Sequence, residues 1–176
     1  MENLFAPWRL EFITGKREDG CIFCKKPAET DRHRENLVLH VGERAFVIMN
    51  RYPYNSGHLL VCPLRHTSDF GSLTPEEIAE TGLLLQESMR ILTELYRPEG
   101  FNMGINLGAA AGAGIRDHLH WHIVPRWYGD TNFLPVLGDT RSIPELLIQA
   151  YDRLRPAFER LAPPASHRTG TGKGGH

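Results

Sequence analysis

Three histidines stand at alternate positions in Asp117-His118-Leu119-His120-Trp121-His122-Ile123-Val124-Pro125. In a β-strand successive side chains point to opposite faces, so His118, His120 and His122 share one face. Leu119, Trp121 and Ile123 then point to the other, toward a core. Adjacent imidazoles pack poorly, which argues for a site rather than for ordinary core histidines. The triplet is interior and interleaved with apolar residues, unlike an affinity tag. Two chemistries suit it. Imidazoles on one face can chelate a metal, although no Asp or Glu shares that face and only Asp117 adjoins it. A neutral imidazole can instead attack phosphorus when one ring nitrogen is free and the other is held by an acceptor. Neighbouring histidines and backbone amides would then stabilise charge on the phosphoryl oxygens.

The stretch Gly108-Ala109-Ala110-Ala111-Gly112-Ala113-Gly114 lies directly before the triplet. Small residues let backbone amides approach a ligand, and exposed amides in a turn can cradle a phosphate. A flexible linker has the same composition, but this position favours a phosphate loop and, with it, the nucleophilic reading. A second constellation is Cys21-Ile22-Phe23-Cys24. Structural zinc takes four nitrogen or sulfur ligands, and Cys-x-x-Cys supplies two of them on one turn. Histidines would complete the set, with His40, His58, His66 and the triplet as candidates that spacing alone does not separate. Two reduced, buried thiols are the alternative. Cys62, inside Leu59-Leu60-Val61-Cys62-Pro63, reads as a small buried hydrophobe. So few cysteines in so long a chain exclude a disulfide scaffold.

The elements that must position these groups fit one domain of 176 residues, with 41% apolar and 23% charged content. A net charge of −1 gives no electrostatic reason to bind long nucleic acids or anionic membranes. The first residues lack a signal-peptide core and no apolar run is long enough to span a membrane, so a cytoplasmic protein is expected. Residues 1–20 form an N-terminal arm, able to lie across the domain or a partner subunit with Trp8 as an anchor, or simply docked without a role. Residues 21–161 form the domain. The Gly-, Pro- and Ser-rich residues 162–176 are expected to be disordered. Within the domain the polar run 25–36 reads as a surface loop. Residues 37–41 and 45–49 read as a hairpin, 58–63 as a third strand, 101–107 as a fourth and the triplet strand as a fifth. Thr74-Pro75-Glu76-Glu77 is a capping box that opens a helix ending near Arg97, with Ile78, Leu85, Met89, Leu92 and Tyr96 as its core stripe. Ser142-Ile143-Pro144-Glu145 repeats the box and opens a helix that Pro156 should kink or divide. Residues around Asn132-Phe133 read as an ordered loop.

His118-Leu-His120-Trp-His122-Ile-Val resembles the motif of the histidine triad (HIT) family, in which histidines alternate with apolar residues. Asn50-Arg51-Tyr-Pro-Tyr-Asn-Ser-Gly57-His58-Leu-Leu-Val-Cys-Pro63 resembles the family's strand-loop-strand upstream of the site, and 106–122 its phosphate loop and triad. The likeness runs from about Cys21 to Trp127, and the pattern through Asn132-Phe133 is similar to bacterial diadenosine polyphosphate hydrolases and phosphorylases. It implies an α+β fold with a five-stranded antiparallel sheet, two main helices and a homodimer joining two sheets. It also implies nucleotidyl transfer or hydrolysis on a dinucleoside polyphosphate such as diadenosine tetraphosphate. His120 would attack the α-phosphorus to form a covalent nucleotidyl-histidine, His122 would contact the phosphate and His58 would position the reacting groups. Ile22, Phe23, Ile48 and Met49 match an apolar wall around the base, Asn50 a polar position near the ribose, and Asn106 with Gly112, Ala113 and Gly114 the phosphate contacts. Zinc-bearing members imply Cys21, Cys24, His66 and His118 as ligands of a structural zinc with no open position for water. Within the family the alternative is hydrolysis of a nucleoside phosphoramidate, and outside enzymes it is a zinc-stabilised nucleotide-binding protein without turnover. Two departures stand out. The glycine/alanine loop is one residue longer than in eukaryotic members. Trp121 replaces smaller or polar residues, and since it faces away from the site a packing change is expected.

Overall fold

Alternating side chains in two neighbouring strands build two separate cores. The computed structural model describes residues 20–130 and 145–161. Five strands, β1 (Val38–Val41), β2 (Ala45–Met49), β3 (Leu59–Pro63), β4 (Gly100–Ile105) and β5 (Trp121–Arg126), form one sheet in the order β1-β2-β3-β5-β4. Every neighbouring pair is antiparallel. The register pairs Phe46 with Cys62 and Ile48 with Leu60, and one residue on it pairs Val47 with Val61 and Met49 with Leu59. All residues of β2 and β3 are buried, so both sheet faces are covered there.

Helices α3 (Pro75–Tyr96) and α4 (Leu147–Glu159) cover one face. Leu84, Ile91, Leu92, Tyr151, Leu154 and Phe158 pack there against Val47, Met49, Leu59, Val61 and Ile123. Each such side chain stabilises by about 1.5–3 kcal/mol when fully buried. On the other face Phe23 of α1 (Ile22–Ala28) packs with Phe46, Ile48, Leu60 and Cys62. This is the α+β arrangement with two main helices that the sequence leads one to expect. Trp121 packs against the helix-covered core, away from the histidines, as its register requires.

The structure revises several local expectations. The polar run after Cys24 is not a loop, because α1 extends to Ala28 and a 3-10 turn (Thr30–Arg32) and α2 (His33–Asn36) follow. Arg32 pairs with Glu29 and Glu35 one turn away on either side, which supports helical backbone. In α3 the buried face is Glu77, Thr81, Leu84, Ser88, Ile91 and Leu92, whereas Ile78 is 47% exposed. The core stripe is therefore displaced around the helix from the one expected; Leu85, Met89 and Tyr96 only flank it. Helix α4 begins at Leu147 and runs through Pro156 undivided. Pro156 and Asp152, whose carbonyl loses its helical donor, both lie on the exposed side, where water can satisfy that oxygen. The second capping box at 142–144, the loop around Asn132-Phe133, the arm 1–19 and the tail 162–176 lie outside the described residues. Among described residues no helix is long and apolar enough to cross a membrane.

Two polar clamps hold strand ends to α3. A Cβ at Gly42 would collide with the Glu80 carboxylate, which accepts from the N–H groups of Glu43 (2.8 Å) and Arg44 (2.9 Å) and so holds the β1–β2 turn. The Glu77 carboxylate accepts from Arg65 at 2.8 Å through both oxygens and from the Thr74 N–H at 2.8 Å, while Thr74 Oγ1 accepts from the Glu77 N–H. This clamp fixes the segment that follows β3, which carries His66. The Arg65 guanidinium, then the Thr74 amide, hold the Glu77 carboxyl at about 2, below its ordinary 4.5. Glu77→Ala should lower unfolding free energy by about 1–3 kcal/mol. With the carboxyl depressed in the folded chain, this contribution is complete above pH 4.5 and declines as pH falls toward 2. Denaturant titrations of both proteins at pH 7 and pH 3 should show the gap narrowing at the lower pH.

Candidate active site

The hydrogen bonds of four histidines determine where their protons sit. Strand β5 begins at Trp121, so only His122 of the triplet lies in the strand, and His118 and His120 lie in the extended chain before it. The ladder stops because β3 pairs no further than Val61 with Trp121, and β4 no further than Ile105 with Trp121. Upstream, the Leu119 N–H donates to Thr67 O (2.8 Å) and His118 Nε2 donates to Pro63 O (2.8 Å), tying this stretch to the end of β3 and the chain beyond it. Alternation still persists, and the His120 and His122 rings lie 5.1 Å apart.

His120 Nδ1 lies 2.8 Å from the carbonyl oxygen of His118. A carbonyl can only accept, so Nδ1 carries the proton and Nε2 of the neutral ring keeps its lone pair. A second chain of bonds starts at the Tyr54 backbone N–H, which donates to His58 Nδ1 at 3.0 Å. His58 therefore bears its proton on Nε2 and donates to His122 Nδ1 at 2.9 Å. That leaves His122 with an N–H at Nε2. The result is a bare nitrogen on His120 beside a neutral donor on His122.

Burial keeps His58 and His122 uncharged. Desolvation first, then the neighbouring His122 and His120, push His58 down to about 3. Desolvation, then His120, lowers His122 to about 4. Gly57, just before His58, has a φ of +74°, and a Cβ there would meet Leu92 at 3.0 Å and Pro125 at 3.4 Å. Glycine is needed at this position to seat the loop against α3 and β5.

Cys21, Cys24, His66 and His118 converge, with one ligand atom from each lying within 4.8 Å of every other. His118 Nδ1 is 3.3 Å from Cys21 Sγ, 3.6 Å from Cys24 Sγ and 3.3 Å from His66 Nδ1, and Cys24 Sγ is 3.4 Å from His66 Nδ1. A tetrahedron with zinc-like bonds of about 2.0–2.3 Å has edges of roughly 3.3–3.8 Å, and these four separations fall in that range. His118 gives its Nε2 proton to Pro63 O, which leaves Nδ1 free to ligate. Burial and the adjacent Cys21 thiol raise Cys24 above its ordinary value, a cost that a cation would relieve. The four residues can hold a metal ion, and His40, an open candidate by spacing, lies on β1 outside this group.

The other residues singled out in the sequence distribute as follows. Phe23 lies 5.2 Å from the His120 ring and 5.4 Å from the His118 ring, between the catalytic candidate and the cysteine cluster. Ile48 and Ile22 belong to the same small core as Phe23. Met49 does not join them, since it lies in the helix-covered core on the opposite face, one residue along β2 from Ile48. Asn50 Nδ2 is 3.4 Å from His58 Nδ1. Asn106 follows β4 directly, at the start of the connection that returns to His120. In that connection a 3-10 turn (Ala109–Ala111) is flanked by Gly108 and Gly112 at φ +79° and +82°, Ala113 is buried and Gly114 exposed. Because Ile105 pairs with Trp121 and Gly104 with His122, this loop begins and ends beside the triplet. The groups that sequence reading missed are backbone atoms: Pro63 O, Thr67 O, His118 O and the Tyr54 N–H. Any residue type presents them, so no sequence signal marks them.

Fold and site together define a class: an α+β sheet that presents a histidine triad beside a small-residue loop. The HIT domain pattern matches residues 32–128. A relative named "AP-4-A phosphorylase" from Mycobacterium tuberculosis is 38% identical over 156 residues, covering 84% of this chain and 79% of its own. A "Bis(5'-adenosyl)-triphosphatase" from Dictyostelium discoideum is 30% identical over 72% of this chain and 88% of its own. Among solved structures, a "ZN-bound histidine triad family protein" from Mycobacterium smegmatis superposes with a TM-score of 0.62 at 30% identity, covering 81% of this chain and 95% of that one. The chain belongs to the HIT domain family.

The depressed histidines carry a stability consequence. The unfolded chain takes up protons at these residues near 6.5, before the folded chain does. Stability should therefore be complete above pH 6.5 and fall as pH drops through about 4 for His122 and about 3 for His58. Unfolding midpoints measured across this range should fall more gently in a His58→Asn/His122→Asn variant than in the natural chain.

Proposed function

We propose that this enzyme cleaves dinucleoside polyphosphates, of which diadenosine tetraphosphate is the representative, in two displacements at His120. The observation that carries the reading is the bond from His120 Nδ1–H to the His118 carbonyl, which aims a lone pair from Nε2. In the first displacement Nε2 forms a bond to the α-phosphorus and the bond to the bridging oxygen breaks, releasing the remaining polyphosphate nucleotide. In the second an acceptor oxygen bonds to phosphorus and the nitrogen–phosphorus bond breaks. Inorganic phosphate as acceptor gives a nucleoside diphosphate, and water gives a nucleoside monophosphate. The mycobacterial phosphorylase relative supports phosphate.

Around this centre His122 Nε2–H faces the phosphoryl oxygens, and His58 holds His122 in that tautomer. Ile22, Phe23 and Ile48 wall the base, and Asn50 serves the ribose. Asn106 and the amides of Gly112, Ala113 and Gly114 take the phosphates. Cys21, Cys24, His66 and His118 hold a structural zinc, which supplies no open position to substrate. The reading includes a homodimer joining two sheets, supported by the edge position of β4 and by exposed Met103 and Leu107 beside it. It places the protein in the cytoplasm, where Cys21 and Cys24 stay reduced.

Chromatography of diadenosine tetraphosphate reactions tests the chemistry. ADP with ATP, formed only when phosphate is added, is the expected product pair, and ATP with AMP in its absence would make water the acceptor. Cleavage of an AMP phosphoramidate alone would overturn the substrate assignment. His120→Ala should lower kcat by at least about 10³-fold while nucleotide binding persists, and unchanged turnover would remove His120 as nucleophile. Metal analysis should find about one zinc per chain, lost in Cys21→Ser. Zinc retained by that variant would argue against the ligand set.

A further inference from the structure

The backbone N–H of Tyr54 starts the chain of bonds through His58 to His122, but its side chain, which lies against both rings, has no role in that scheme. Tyr54 meets the pair in two ways. Its backbone N–H donates to His58 Nδ1 at 3.0 Å. Its ring lies parallel to His122, at 9° with centroids 5.8 Å apart, and 4.7 Å from the centroid of His58. It is 52% exposed and contributes nothing to either hydrophobic core. A large aromatic ring held half in solvent against two imidazoles is placed to cover them.

We propose that Tyr54 is a positioning residue: its amide sets the His58 tautomer, and its ring shields the His58 Nε2–H···Nδ1 His122 bond from water. Together they present His122 to the phosphoryl group as a neutral Nε2–H donor. This rests on the nucleotidyl-transfer reading above. The physical reason is competition. Water reaching the short bond between the rings could accept from His58 and donate to His122, and the directional chain from Tyr54 to His122 would then lose its definition. A His122 ring with its proton on Nδ1 would aim a lone pair at phosphoryl oxygens and repel them. Among the described residues the titratable groups facing His122 are His58, His120 and Tyr54; its cross-strand partners, Leu60 on β3 and Gly104 on β4, carry no charge.

Tyr54→Ala removes the ring and keeps the amide, whereas Tyr54→Phe keeps both. The full chain with its metal complement is assayed on diadenosine tetraphosphate, and its histidine ring nitrogens are followed by ¹⁵N NMR through a pH titration. In Tyr54→Ala we expect kcat to fall about tenfold or more with KM changed less than about twofold. His122 should also lose its pure Nε2–H signature and titrate at higher pH. Tyr54→Phe should match the natural chain in all of these. Lost activity in Tyr54→Ala with unchanged His122 nitrogen shifts would overturn the proposal, as would a Phe variant behaving like the Ala one. If the natural chain leaves the dinucleotide intact, the function proposed above fails, and the nitrogen shifts still decide the role of Tyr54.

Discussion

The hydrogen bond from His120 Nδ1–H to the His118 carbonyl is the contact on which the site depends, and His118 is held at both ends to provide it. Its ring donates from Nε2 to Pro63 O and faces the Cys21, Cys24 and His66 atoms with Nδ1. The next residue, Leu119, gives its N–H to Thr67 O. The main chain at His118 is thus anchored through a side chain and a neighbouring amide, and its carbonyl has a fixed direction. A metal in the cysteine cluster would act on catalysis only through this anchorage. It would stiffen the carbonyl that orients the His120 ring.

The sheet supports this by dividing labour between its faces. One face is filled by α3 and α4 and carries most of the apolar burial, so the other need not be wholly apolar. On that second face Phe23 shields β2 and β3 while also touching the His118 and His120 rings, so one side chain stands between the cysteine cluster and His120. A smaller residue there would leave a void between the buried His118 and His120 rings.

The fold was legible because the short, nearly continuous apolar runs of β2 and β3 and the capping box at Thr74 are local signals, and these elements stand where they point. The triplet's shared face was legible for the same reason. Its strand boundary was not, because a strand ends where partners run out, and the partners of residues before Trp121 lie in the distant segment from Pro63 to Thr67. Helices α1 and α2 escaped notice because charged residues with little apolar periodicity look like a loop until Glu29, Arg32 and Glu35 are seen to pair. Met49 was grouped with Ile48 by family likeness, although alternation along β2 already places them on opposite faces. Proton positions were out of reach altogether, since they follow from main-chain atoms that every sequence supplies.

Neutrality is the feature that makes this constellation suited to a polyanionic substrate. Cationic histidines would attract a polyphosphate in its ground state about as strongly as in the transition state, and uniform binding of that kind does not speed the chemical step. A protonated His120 would also have no lone pair to offer. Burial holds His58 and His122 uncharged, so their hold on phosphate comes from an oriented N–H in a poorly solvated setting. Such a dipole gains most where charge builds on the phosphoryl oxygens as the nitrogen–phosphorus bond forms, and it costs no reorganisation because the chain of bonds from Tyr54 through His58 is already in place.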